Sequence, residues 1–266
     1  MRPDTPVQFH ATPIATPPTV EVVGVPLAVT DYEQTLGWMD AMVAERERGY
    51  VCVCNVHTVM ASQEDPELRA ALLGSSLNVP DGQPLVWAMN ALGQSLRDRV
   101  YGPELMARAC ARAALTGQRF YLYGGRDSDA LLELGNRLRR RYEGINIVGG
   151  YAPPFRHLTD AERSAVADDI NESEADVVWV GIGVPKQEKW MAALRPDLEA
   201  PVLVGVGAAF DFLAGLVPQA PPMLQKAGLE WAYRLAQEPR RLWRRYLRYN
   251  PRFVVAMARQ LAAHRR

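Results

Sequence analysis

Five short stretches of this 266-residue chain place side chains that could move a proton or hold an anion beside a backbone able to turn sharply. They are Asn55 to His57, Pro80-Asp81-Gly82, Gly124-Gly125, Gly183 to Glu188, and Gly207 to Asp211. Asp81 is the most pointed. A carboxyl group kept from water has a raised pKa and can take the proton of a hydroxyl group. An Asp before Gly is also an ordinary turn former, the preferred reading on spacing alone, and it is the place at a strand end that favours a site role. Glycine turns at helix starts expose backbone N–H groups that suit a phosphate or diphosphate. In Gly181-x-Gly183 and Gly205-x-Gly207 the third glycine of the dinucleotide fingerprint is replaced by Lys186 and Phe210, which argues against a nicotinamide enzyme. Lys186, Gln187 and Glu188 follow Pro185 on what reads as the first turn of a helix, where Pro is also a common opening residue. Asp127-Ser128-Asp129 has a spacing that can hold a divalent metal against a diphosphate. It also falls where a helix begins, and the reading preferred is an N-cap, with no metal or other cofactor expected.

The segments around these residues alternate between apolar runs of strand length and amphipathic runs of helical period. Residues 20–30 read as one strand with a kink at Pro26, and Thr30-x-x-Glu33 as a capping box for a helix reaching about Arg48. YVCVCN, SLNV, RFYLYGG, INIVGG, DVVWVGIG and PVLVGVG read as further strands. Between them lie helical segments: PELRAALLG, PLVWAMNALG, 103–117, 127–142, a helix capped by Thr159-x-x-Glu162, and PKQEKWMAALR. Such alternation predicts an α/β fold, a largely parallel Rossmann-like sheet with helices on both faces. In that fold ligands bind beyond the carboxyl ends of the strands, where the five stretches fall. After Gly215 only helical segments remain. The expected organisation is a flexible arm at 1–19, an α/β catalytic body at 20–215 and a C-terminal helical appendage at 216–266.

Hydrophobic residues make up 48% of the chain, enough for a packed core. The longest apolar runs, VVWVGIGV and VLVGVGAAF, are shorter than the ~18 residues a transmembrane helix needs. The opening stretch lacks the basic-then-apolar order of a secretory signal. Cys52, Cys54 and Cys110 cannot build a disulfide framework; Cys52 and Cys54 alternate with valines as small buried residues of one strand face. A reducing, cytoplasmic setting follows. Charge is uneven: from Glu238 onward there are nine arginines and one acid, leaving 29 acids against 21 Lys and Arg upstream. The body is therefore a poor nucleic-acid surface. In the tail, Arg234, Arg241 and Arg244 are spaced by seven and three, on one side of a helix interrupted by Pro239. Trp243 and Tyr249 among Arg245, Arg248 and Arg252 point toward an anionic membrane surface, against the alternative of a solvated face.

Assembled in order, NVHTVMAS, LNVPDGQPLVWAMNALG, RVYGPELM, FYLYGG, VGIGVPKQEKW, VGVGAAFDFLAG and QAPPMLQKAGLEWAYRLAQEPRRLWRRY resemble the WecG/TagA/CpsF glycosyltransferase family across about residues 50–250. The resemblance implies transfer of a sugar, often N-acetylmannosamine, from a UDP donor to a polyprenyl-diphosphate-linked sugar in cell-surface polysaccharide synthesis. It implies a peripheral protein on the cytoplasmic membrane face, inversion at the anomeric carbon and no metal. It places the base on Asp81 and pocket residues on Asn55, Arg99 and Gln187. Arg234, Arg241 and Arg244 would close over the diphosphate. From their places just after the strands, rather than from the resemblance, Gly124, Gly125, Gly183, Lys186, Glu188 and Asp211 are expected to line the substrate site. Two positions depart from the family pattern: Val53 where Thr is usual, and Gln219 where a basic residue is common. A non-catalytic nucleotide-sensing or membrane-scaffolding domain using the same tail is the alternative. The apolar appendage could cover its own body or a second copy, so a homo-oligomer stays open.

Overall fold

The computed structural model describes residues 14–226 and 228–264; most of the expected N-terminal arm lies outside them, as do the side chains of Pro222, Lys226 and Arg241. The first strand pair is β1 (Thr19–Val22) and β2 (Val25–Ala28), an antiparallel hairpin rather than one kinked strand. Val23 and Gly24 both take positive φ, 49° and 73°, the two-residue turn whose twist matches paired strands. A Val-Gly turn lacks the usual Asn-Gly signature, which is why it reads as continuous strand. Helix α1 (Tyr32–Ala44) is capped by Asp31, whose side chain accepts from the Gln34 N–H, not by a Thr30–Glu33 box. It stops short of Arg48, with Arg46 in the left-handed region at φ 54°.

The chain continues through β3 (Gly49–Cys54), α2 (Val56–Ala61), α3 (Pro66–Leu73), β4 (Leu77–Pro80), α4 (Gln83–Ala91) and α5 (Gly102–Thr116). Then follow β5 (Arg119–Gly124), α6 (Ser128–Arg141), β6 (Asn146–Tyr151), α7 (Asp160–Glu172), β7 (Val177–Gly181), α8 (Lys186–Leu194) and β8 (Val202–Gly205). Among the described residues only helices come after β8: α9 (Ala209–Leu213), α10 (Pro222–Lys226), α11 (Glu230–Gln237) and α12 (Pro239–His264). The short helices α2 and α9 do not show in the sequence pattern. The Thr159–Glu162 capping box of α7 forms as expected.

Strands β3 to β8 form one six-stranded sheet in the order β4-β3-β8-β7-β5-β6, every neighbouring pair parallel. All its carboxyl ends therefore meet at one edge. Side chains alternate across the sheet. Cys52 and Cys54 pack on one face with α2, α3, α4, α7, α8 and the end of α12. Val51, Val53 and Trp179 pack on the other with α1, α5, α6 and α9. Helix α12 lies on the first face, seating Phe253 and Met257 in its core. Among the described residues no helix is long and apolar enough to cross a membrane.

Candidate active site

At the end of β4, the Asp81 N–H donates to the Cys54 carbonyl at 2.7 Å, stitching the strand end to β3. Its carboxylate accepts from the Gly102 N–H at the start of α5, 3.3 Å away. Arg99 donates to the Asp81 carbonyl oxygen, also at 3.3 Å. Burial pushes the Asp81 pKa up to about 6; the nearby Arg99 opposes this rise and Glu230 adds to it. The same residue thus closes the strand and carries a carboxyl group with unusual affinity for a proton. Arg99 is itself only 8% exposed. It forms an ion pair with Glu230 at 2.6 Å, donates to Gln225 Oε1 at 3.1 Å and stacks 4.2 Å from the Tyr101 ring centre. Arg99 therefore ties the loop that grips Asp81 to α10 and α11.

Asn55 caps α2: its Oδ1 accepts from the Thr58 N–H at 3.2 Å. Arg245 of α12 donates to the same oxygen at 3.5 Å. Burial lowers the His57 pKa to about 3, with the Arg245 charge a second cause. So Arg245 points into the site rather than toward lipid. Helical phase is the reason, since successive residues are about 100° apart. The face carrying Leu242, Phe253 and Met257, each at most 6% exposed, is anchored on the body. That anchoring turns Arg245 inward and leaves Arg244 exposed, its guanidinium 5.3 Å from the Trp243 ring centre. Arg244 is therefore not brought to the site. Arg248 and Arg252 both pair with Glu64, and the Tyr249 hydroxyl donates to it at 3.3 Å, so these residues dock α12 beside α2. Arg234 of α11 lies toward the site: its charge acts on Asp81, and its guanidinium sits 5.5 Å from the Phe212 ring centre. The Arg241 side chain falls outside the described residues.

Beyond β7, the Gly183 N–H donates to Gln187 Oε1 at 3.2 Å, and Gln187 Nε2 donates to Glu188 Oε1 at 2.9 Å. Gln187 is 1% and Glu188 0% exposed. Glu188, expected to line the substrate site, is sealed beneath it with no exposed surface. It holds Gln187, whose amide supports the glycine turns from below; a Cβ on Gly205 would come within 3.0 Å of Nε2. Burial raises the Glu188 pKa to about 7. Lys186, by contrast, is exposed at the start of α8. Gly124 takes φ 137°, and a Cβ there would collide with the Gly181 backbone at 2.6 Å; only glycine lets β5 turn away here. Gly125 follows in the same turn at φ 96°. Asp211 of α9 accepts from Arg126 Nε at 2.9 Å, across the mouth of that turn. Asp127 is the N-cap of α6, its side chain accepting from the Ala130 N–H at 2.8 Å. Val53 is buried on the opposite sheet face, with Cγ1 3.5 Å from where a Cβ on Gly102 would stand.

Sequence reasoning missed Arg126, Arg245 and Glu230 as members of this constellation. Glu230 lies within the EWAYRLAQEP stretch, so a signal was present, but nothing in the spacing tells that it reaches Arg99. A carboxyl group with raised pKa, an amide and inward guanidinium groups meet glycine turns at the carboxyl edge of a parallel sheet. The fold is that of an α/β protein with a six-stranded parallel sheet and a long C-terminal helix. The model of the glycosyl transferase WecG/TagA/CpsF family matches residues 20–266, and the chain belongs to that family. It is a glycosyltransferase.

Proposed function

We propose that the protein is an inverting, metal-independent transferase that moves N-acetylmannosamine or a related sugar from a UDP donor to a polyprenyl-diphosphate-linked sugar. The observation that carries the reading is Asp81, a carboxylate with its pKa raised to about 6 at the carboxyl edge of the sheet. Near neutral pH it is ionised yet a better base than an ordinary carboxylate. It takes the proton of the acceptor hydroxyl as that oxygen bonds to the anomeric carbon. The bond from that carbon to the phosphate oxygen breaks on the opposite side, and its electron pair leaves with UDP. Arg234 and Arg245 supply fixed guanidinium groups for the departing diphosphate, the charge-assisted contacts that otherwise fall to a metal. The glycine turns at Gly124, Gly125 and Gly183 carry no side chain and let the nucleotide half approach the backbone closely, with Lys186 and Asp211 beside them. Arg99 is engaged by Glu230 and Gln225, so its first task is to hold the base, and Gln187 shapes the floor.

Residues 216–266 serve in this reading as an appendage that both completes the site and meets the cytoplasmic membrane face. Trp243, Leu247 and Val254, spaced by four and seven on α12, are 46%, 68% and 67% exposed. Such an apolar stripe beside Arg240 and Arg244 suits an anionic lipid surface. UDP release from a UDP-sugar, measured with and without a short-chain polyprenyl-diphosphate-linked sugar and in EDTA, tests the proposal. A scaffold or nucleotide sensor would give no release.

A further inference from the structure

A cavity of about 470 Å³ opens beside the loop that grips Asp81 and shares Arg99 alone with the residues expected to form the site. Its volume falls in the ~300–1,000 Å³ range of small-molecule sites. Tyr32, Arg99, Tyr101, Glu104, Arg108 and Gln219 are among its walls, and in all two phenols, three guanidinium groups, two carboxylates and two amides face one space. Tyr101 is 6% exposed, and its hydroxyl is buried with no hydrogen-bond partner among the described residues. A buried hydroxyl is rarely left unpaired, and a group it can bond to offsets that cost.

We infer that this cavity is the subsite for the sugar of the acceptor, with Tyr101 Oη bonding one of its hydroxyl groups. The inference rests on the transferase reading above. Three observations favour an acceptor sugar over the donor. The cavity adjoins Asp81 through Arg99 and Tyr101, and Gly102, the next residue, holds the Asp81 carboxylate. Asp81 stands behind the Arg99–Tyr101 wall of the cavity, so a sugar seated at that wall lies on the side from which the base is approached. The donor's nucleotide half is placed at the turns after β5 and β7, four and three strand positions from β4, roughly 19 and 14 Å at ~4.8 Å per strand. Finally, the walls mix both charge signs with amide and phenol groups, which suits a neutral polyhydroxyl ligand better than a diphosphate. Gln219 contributes an uncharged amide to this wall.

The test compares wild type with Ala107→Phe, which fills the cavity from α5, and Tyr101→Phe, which removes only the hydroxyl. Transfer is measured against a short-chain polyprenyl-diphosphate-linked hexosamine and, separately, against the UDP-sugar. Ala107→Phe is expected to raise the acceptor KM by at least about tenfold, and Tyr101→Phe by about fivefold, with the donor KM held within about twofold. An acceptor KM unchanged in both variants overturns the subsite, as does a rise in donor KM in place of acceptor KM. Wild-type protein that releases no UDP from any UDP-sugar would instead overturn the transferase reading on which the subsite depends.

Discussion

Replacing Asp81 by Asn separates the two jobs this residue holds. The amide oxygen of Asn can still accept from Gly102, and the backbone bonds to Cys54 and Arg99 do not involve the side chain. What is lost is the proton acceptor. Loss of a general base costs about 10²–10⁴ in kcat. The variant should gain stability at the same time. Burial pushes the Asp81 pKa up to about 6 in the folded chain from an ordinary 3.8, so the folded state binds this proton more tightly than the unfolded one. Wild-type stability then falls as pH rises from about 4 to about 6 and is flat above, a penalty of at most about 3 kcal/mol at ~1.4 kcal/mol per pKa unit. Asn carries no such penalty. Chemical denaturation at pH 4.5 and pH 7.5 should show Asp81→Asn gaining on wild type at the higher pH. Initial rates should show the wild-type acid limb near pH 6 missing from the residual activity. A variant that turns over within tenfold of wild type, with the acid limb intact, would refute the assignment of the base.

Other consequences follow from the geometry. Arg245→Ala should lower kcat/KM at least about tenfold, while Arg244→Ala in detergent should stay within about threefold, because only the first guanidinium reaches Asn55; steady-state kinetics of the two decide. Glu188→Gln keeps an acceptor for Gln187 but removes a carboxyl whose pKa is about 7, so its melting temperature should overtake wild type as pH rises from 5 to 8. Glu230→Ala strips the buried Arg99 of its ion-pair partner and should cost about 3 kcal/mol in urea unfolding. The same change removes a charge that raises the Asp81 pKa, so the acid limb of the rate profile should move below pH 6.

The sheet was legible because parallel strands buried on both faces, such as DVVWVGIG and PVLVGVG, announce themselves as apolar runs between amphipathic helices. Positions after those strands were legible for the same reason, and Asp81 stands where that logic puts it. Less could be read where geometry depends on how elements dock. Arg244 and Arg245 are neighbours in sequence, and only the seating of Leu242, Phe253 and Met257 decides which turns inward. Glu188 reads as a polar residue on a helix start, yet α8 rotates it beneath the sheet, where it can only support Gln187. The Arg99–Glu230 pair joins residues far apart in the chain, and no local pattern encodes it.

The most direct measurement is a screen of UDP-sugars against a short-chain polyprenyl-diphosphate-linked sugar, in EDTA, with released UDP and the anomeric configuration of the product both determined. The account predicts acceptor-dependent UDP release from a UDP-N-acetylhexosamine, undiminished by EDTA, with the configuration inverted. Release that requires a divalent metal, a product of retained configuration, or no acceptor-dependent release from any donor would contradict it.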